Sequence, residues 1–489
     1  MGEAKRRAAY RVARFKNSQP LKRARFDLYA LGARRAITRY MAEELEFWSD
    51  TEERVLGLVF RDTTDNDFGW MLLARDKIGR FRCADLETSI PRFADASDGA
   101  RERIERVVCD GKFEALGDQE DEPNYSTDVL TVSEGIDPKD LHPFFKVLSE
   151  SPGRHPARSV FREIAPWLAP ADPDFVSEFQ RKHFDQRLWE MYLWATLREL
   201  NYDVSQPNAP DFVCDGIEAR FTLEATTVAA STTGVLANRT EPKTPEEISE
   251  YLANYMPMKF GSSLTSKLNK RDKDGKYYWE RGEAIGKPFL IGIADFHVPG
   301  GNEEEPGSMT YTQSALWPYL YGHRVEWEMI EGQLIVRAVK GGEHVFQGKR
   351  VETGFFDLPQ AENVSAILFS NAGTLAKFDR MGIAAGFLPE NHKYFRTGLR
   401  FNPDPNAVIP TPFWEEIGNS EYVEYWSDEL QIFHNPNAKH PLPVGAFPGT
   451  TQHFFKDGNQ ISLTPEGTVM ASHTLIMQLV GDEERKTVL

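Results

Sequence analysis

Three cysteines in 489 residues, Cys83, Cys109 and Cys214, are too few and too scattered for a disulfide framework or a four-ligand zinc site. Their scarcity points to a reducing compartment. Long apolar runs are missing as well. The longest, Pro288-Phe289-Leu290-Ile291-Gly292-Ile293-Ala294, falls far short of the roughly 20 residues that cross a bilayer, so no membrane span is expected. Nothing near the N-terminus has the apolar core of a secretory signal, and Arg6 stands where a myristoylation signal carries Ser or Thr. The expected location is the cytoplasm. There is no Walker loop, no Gly-x-Gly-x-x-Gly and no Gly-x-Ser-x-Gly, which argues against an NTPase, a dinucleotide enzyme and a standard hydrolase.

Positive charge is scarce over most of the chain. A formal net charge of −17 opposes nucleic-acid binding, because non-specific affinity comes mostly from neutralised phosphates. The distribution softens this. Residues 1–40 hold twelve Lys and Arg, from Lys5 to Arg39, against only Glu3 and Asp27. Such an arm reads as a phosphate-contacting segment, as a solvated or partner-docking helix face, or as an Arg-rich transit peptide.

At this length two or three packed units are expected. Residues 1–45 form the basic arm, with helical sequence from Tyr29 to Phe47. Residues 46–116 read as a small α+β unit: a meander through Arg54–Phe60, Phe68–Ala74 and Phe81–Cys83, then a helix over Ala100–Val108. Within it, Asp65-Asn66-Asp67-Phe68-Gly69 resembles the start of a calcium loop but has no closing glutamate, so a polar hairpin turn is preferred. Residues 117–173 are a turn-rich acidic linker and short helices. Residues 174–385 alternate a long helix (Phe175–Leu200), a hairpin (Asp211–Val228), helical sequence at Glu246–Tyr255 and Ser262–Arg271, a strand (Phe289–Ala294), a helix (Thr312–Tyr321) and strands at Leu334–Val339 and Val364–Phe369. That order predicts an α/β fold with a mixed sheet flanked by helices. Residues 386–489, rich in Pro, Asn, aromatics and His, read as an irregular C-terminal wrap; His434 and His440 lack the spacing of a zinc site.

The chemistry concentrates in three carboxylates. Along Phe221-Thr222-Leu223-Glu224-Ala225-Thr226, alternation puts Thr222, Glu224 and Thr226 on one face. A hairpin sets Asp211 of Pro210-Asp211 on the strand next to Glu224, within reach of one ion. Glu190 sits inside Leu188-Trp189-Glu190-Met191-Tyr192-Leu193-Trp194, where a carboxylate needs a cation, a hydrogen-bond network or a raised pKa. A salt bridge to Arg187 or Arg198 serves as well as a metal. His183, two helical turns before Glu190, and Asp295-Phe296-His297 at a strand end are weaker candidates, explained equally by a surface position and by a cap.

The helix–hairpin–helix–strand order over 175–294, with Pro210-Asp211 and Glu224-Ala225-Thr226, resembles the PD-(D/E)XK, or restriction-endonuclease-like, nuclease superfamily. The resemblance implies that Asp211 and Glu224 bind Mg²⁺ or Mn²⁺ and that Glu190 is the assisting helical acid. The family lysine two positions beyond the second acid is Thr226 here. Some members carry this lysine on the following helix. Lys259, after the break expected at Pro257 and before Gly261-Ser262-Ser263 as a new helix start, is the first candidate, and Lys267 the second. The implied function is a metal-dependent nuclease acting on nucleic acid, DNA before RNA, with defence or repair as the family's analogy. The alternative is a catalytically silent nuclease fold that binds or assembles, its N-terminal arm docking a protein partner or a second copy.

Overall fold

The computed structural model describes residues 15–111, 113, 127–228, 231, 233–237, 242–295, 308–309 and 312–479. Much of the basic arm (1–14) and of the acidic linker (114–126) therefore lies outside the described residues. An antiparallel sheet comes first: β1 (Ser18–Pro20), β2 (Ala42–Asp50), β3 (Val55–Asp62), β4 (Phe68–Arg75) and β5 (Phe81–Ile90), in that spatial order. Period-two alternation gives it two apolar faces. Val55, Val59, Trp70 and Leu72 pack on Ala96, Ala100 and Ile104 of helix Phe93–Asp110, whereas Leu56, Leu73 and Phe81 meet Phe26 and Tyr29 of helix Arg23–Tyr29. Gly99 permits the close helix approach, since a Cβ there would fall 2.7 Å from Trp70 Nε1.

The helix expected from Tyr29 to Phe47 is not formed: residues 42–50 are β2, paired with β3. The ladder offered by β3 outweighs local helical preference. Two basic residues here turn inward, while Lys22, Arg23, Arg35 and Arg39 stay exposed. Arg34 bridges Asp27 and Glu44, and Arg25 lies 3.5 Å over the Phe387 ring and 3.3 Å from Glu53.

The main layer is a mixed eight-stranded sheet made from β6 (Asp203–Ser205), β7 (Phe212–Asp215), β8 (Arg220–Val228), β9 (Phe289–Asp295), β15 (Ala366–Phe369), β18 (Gln431–His434), β19 (Thr451–Lys456) and β20 (Asn459–Leu463). Its order is β20-β19-β18-β15-β9-β8-β7-β6. The parallel pairs β8–β9 and β9–β15 need crossovers, supplied by helices Met256–Asn269 and Gln313–Tyr321. These two helices cover one face; helices His155–Ile164, Phe184–Glu199 and Leu375–Ala384 cover the other. A three-layer α/β/α body results.

Four further expectations need correction. The helix expected over 175–200 is two, Phe175–Gln180 and Phe184–Glu199, folded back so that Phe179 and Phe184 stack at 4.7 Å. No new helix starts at Gly261: Pro257 lies just after a π-helical turn, Tyr251–Tyr255, inside one helical run from Pro245 to Asn269, so Gly261-Ser262-Ser263 is helix interior without free amides. Residues 334–339 belong not to the core but to a largely exposed ribbon of β11 (His323–Ile330) and β12 (Gln333–Lys340), followed by the small hairpin β13 (Glu343–Phe346) and β14 (Lys349–Glu352). Finally, the C-terminal region is no irregular wrap. It completes the main sheet and adds an antiparallel sheet of β10 (Ser308–Met309), β21 (Val469–Gln478), β16 (His392–Arg400) and β17 (Thr411–Ile417).

A buried charge network ties this region to the core. Lys377 and Arg380 both reach the Glu424 carboxylate, at 2.8 and 2.9 Å, and Arg396 lies 3.5 Å from Glu429. Burial alone would raise the Glu424 pKa, but Arg380, Lys377 and Arg396 outweigh it and hold the group well below the carboxylate range. Its stabilising contribution is therefore present above the unfolded pKa and lost only as pH falls through the depressed folded value. Glu424→Gln should cost about 3–5 kcal/mol at pH 7, because it leaves buried cations uncompensated. Urea unfolding should show that deficit at pH 7 and its shrinkage in acid.

Candidate functional site

Strands β7 and β8 pair with Phe212 opposite Leu223 and Val213 opposite Thr222; one further step sets Asp211 against Glu224. The pleat then separates two chemistries. Phe221, Leu223 and Ala225 enter the core beside Trp189 and Leu193, while Glu224 faces the 256–269 crossover helix. Asp211, just before β7, is fixed by the backbone: its Oδ2 accepts the Ala225 N–H at 2.7 Å.

Glu224 is only 4% exposed. Its Oε1 accepts hydrogen bonds from Lys267 Nζ at 2.6 Å and from the Tyr278 hydroxyl at 2.7 Å. Its Oε2 is equally buried and has no hydrogen-bond partner among the described residues. Glu190 is held differently, by Arg187 Nη1 at 2.9 Å and Gln186 Nε2 at 2.9 Å, and Arg187 also reaches Asp172 and Glu178. Burial and then the charges of Glu224 and Glu190 push the Asp211 carboxyl well above its ordinary range. Burial raises Glu190 too, against the pull of Arg187. Three acids crowd one place, where Arg187 answers Glu190 and Lys267 answers Glu224.

They open onto a cleft of about 530 Å³ whose walls carry Lys267, Lys270 and Arg281 beside the carboxylates. Asp211, Glu224 and Glu190 all line it, yet their oxygens do not all come within 4.8 Å of one another; among the described residues only Asp62, Asp65 and Asp67 meet that spacing. The latter trio sits at the β3–β4 turn, where Asp62 and Asp65 accept the amides of Thr64 and Asp67. Thr226 is on the Glu224 face one pleat further on and is not a lining residue of the cleft.

The two candidate lysines separate. Lys267 bonds Glu224, whereas Lys259, two turns or about 12 Å earlier along the helix, donates to Ser231 Oγ at 2.6 Å and does not line the cleft. His183 stands exposed on the cleft wall. Asp295 accepts from Thr312 Oγ1 at 2.8 Å, and Phe296 and His297 lie outside the described residues. His434 is a packed group, bonded to Gln452 and stacked on Phe454. Sequence reasoning missed Tyr278, Lys270 and Arg281. Lys270, three residues after Lys267, carries a helical-spacing signal; Tyr278, inside Tyr277-Tyr278-Trp279, carries none.

No family model, curated protein or solved structure matches this chain.

A raised folded-state pKa means that ionised Asp211 opposes folding: the penalty is absent below the unfolded carboxylate pKa and grows as pH rises towards the folded value. Without divalent cation, Asp211→Asn should therefore raise the melting midpoint at pH 8 by roughly 2–4 °C. Thermal melts below pH 4 should show the advantage gone.

Proposed function

We propose that the chain is a metal-dependent nuclease whose centre is the Asp211–Glu224 pair. The observation that carries this reading is the buried, unpartnered Oε2 of Glu224, one register step from Asp211 and beside a lysine. Magnesium is commonly held by one or two carboxylates, with water and substrate phosphate completing its shell, and this donor set suits it or manganese. A divalent ion held there would polarise a phosphoryl oxygen and acidify a water.

The remaining work falls to the chain's own groups. Lys267, rather than Lys259, supplies the cation that the family motif places two residues beyond the second acid; its ammonium orients Glu224 and faces the cleft. Glu190, its oxygens taken by Arg187 and Gln186, acts through its charge on Asp211 and not as a ligand. Lys270 and Arg281 on the walls offer phosphate contacts in an otherwise acidic protein.

A silent fold that binds without cutting is the second reading. It is favoured by Thr226 at the motif lysine position and by the arginine on Glu190.

Incubation with single- and double-stranded DNA and RNA, in Mg²⁺, Mn²⁺ or EDTA, separates the two. Cleavage should require metal and be abolished by Glu224→Gln. Lys267→Met should slow it roughly 10²–10³-fold, the scale of losing one charge-stabilising group, while Lys259→Met stays within a few-fold of wild type. Cleavage unaffected by Glu224→Gln sinks the site; binding without cleavage supports the silent fold.

A further inference from the structure

Between the crossover helix and β9 the chain reads Lys270-Arg271-Asp272-Lys273-Asp274-Gly275-Lys276-Tyr277-Tyr278-Trp279-Glu280-Arg281, basic and aromatic in a protein of net charge −17. Two of its three acids are turned onto the backbone. Asp272 Oδ1 accepts the amides of Asp274 and Lys276, each at 2.9 Å, and Glu280 Oε2 accepts the Tyr277 amide at 2.9 Å. Asp272 also lies 3.4 Å from Arg281. Lys270, Arg271, Lys273 and Lys276 are exposed, and none forms an ion pair among the described residues.

The aromatic side chains form a stack. Tyr277 and Trp279 are 4.6 Å apart between ring centroids and 11° from parallel, and the Arg271 guanidinium sits 4.0 Å over the Tyr277 ring. Two groups this close cannot share one face of a ring, so Tyr277 is the middle member between Trp279 and Arg271. Trp279 closes its end against Phe289, 5.8 Å away. The other end is the exposed guanidinium of Arg271, steadied by donation to Gly275 O at 3.2 Å and to the Tyr277 hydroxyl. A guanidinium plane continues an aromatic stack and accepts a nucleobase on its outer side.

The stack is tied to the Asp211 cleft. Tyr278, between Tyr277 and Trp279, turns the other way and donates to Glu224 at 2.7 Å, while Lys270 and Arg281 at the two ends of the segment line the cleft.

We propose that residues 270–281 are a platform for single-stranded nucleic acid: an unpaired base continues the stack on Arg271, phosphates follow Lys270, Lys273 and Lys276, and the strand runs on into the cleft. A duplex suits the platform poorly. Its bases are already stacked on one another, and it brings one phosphate charge per about 1.7 Å of axis, twice the density of one strand, towards an acidic body. Delivery of a phosphodiester to Asp211 and Glu224 rests on the nuclease reading; binding at the platform does not.

Fluorescence anisotropy of the full chain with a labelled oligothymidylate tests it, in EDTA so that nothing is cut, beside a duplex and an abasic strand of the same length. The oligothymidylate should bind about tenfold or more tighter than the duplex. Arg271→Lys keeps the charge and removes the plane, so it should weaken oligothymidylate binding about fivefold or more and leave the abasic strand within about twofold. Lys273→Ala with Lys276→Ala should weaken both strands and flatten the salt dependence. Unchanged melting temperatures check that these exposed substitutions leave the fold intact. Duplex bound as tightly as oligothymidylate, no binding of either, or unchanged oligothymidylate affinity in Arg271→Lys overturns the platform. Binding that follows this pattern without cleavage in Mg²⁺ upholds the platform and removes the nuclease reading. Mg²⁺-dependent cleavage of single and double strands alike, indifferent to Arg271→Lys, does the reverse.

Discussion

A glutamate buried in the face of a central strand is the constraint around which this structure is arranged. Glu224 cannot be solvated where β8 places it, and an ionised carboxylate in such surroundings needs compensation. Compensation comes from the crossover helix, which delivers Lys267, and from the segment before β9, which delivers Tyr278. Both are consequences of the parallel β8–β9 pairing, since that connection must cross the face where Glu224 points. One oxygen remains unmet, and Asp211 brings a second acid beside it instead of another donor. A structure selected for stability alone would not collect acids there; the arrangement makes sense if a cation completes it.

The same logic, with a different balance of charge, governs the network around Glu424 and Glu429. There Lys377 and Arg380 close on Glu424, while Glu429 is held at longer range, by Lys377 at 3.7 Å and Arg396 at 3.5 Å. A fully satisfied charge cluster is a structural element. The contrast between Glu424 and Glu429, five residues apart, shows a tight and a looser ion pair in one segment.

Much of the architecture is legible in the sequence where periodicity is strong. The meander β3–β5, the hairpin of β7 and β8, and the apolar strands β9 and β15 follow from alternation and turn residues, and the pairing of Asp211 with Glu224 follows from the hairpin. What is not legible depends on partners distant in sequence. Residues 42–50 become a strand because β3 lies alongside, and β18 to β20 join the main sheet although each is only four to six residues long and set among prolines and asparagines. The choice between Lys259 and Lys267 hinges on Pro257, which reads locally as a break but is carried inside a helix behind the π-helical turn Tyr251–Tyr255. Tyr278 has no local signature; only the fold brings it to Glu224.

The central claim, that Asp211 and Glu224 hold a divalent cation, is tested most directly by Mn²⁺ titration followed by electron paramagnetic resonance. Free Mn²⁺ signal should fall on addition of the wild-type chain, with Mg²⁺ competing, and should persist with Glu224→Gln, while Asp62→Asn, at the exposed acidic turn, leaves binding intact. Equal Mn²⁺ binding by wild type and Glu224→Gln, or loss of binding through Asp62→Asn instead, would contradict it.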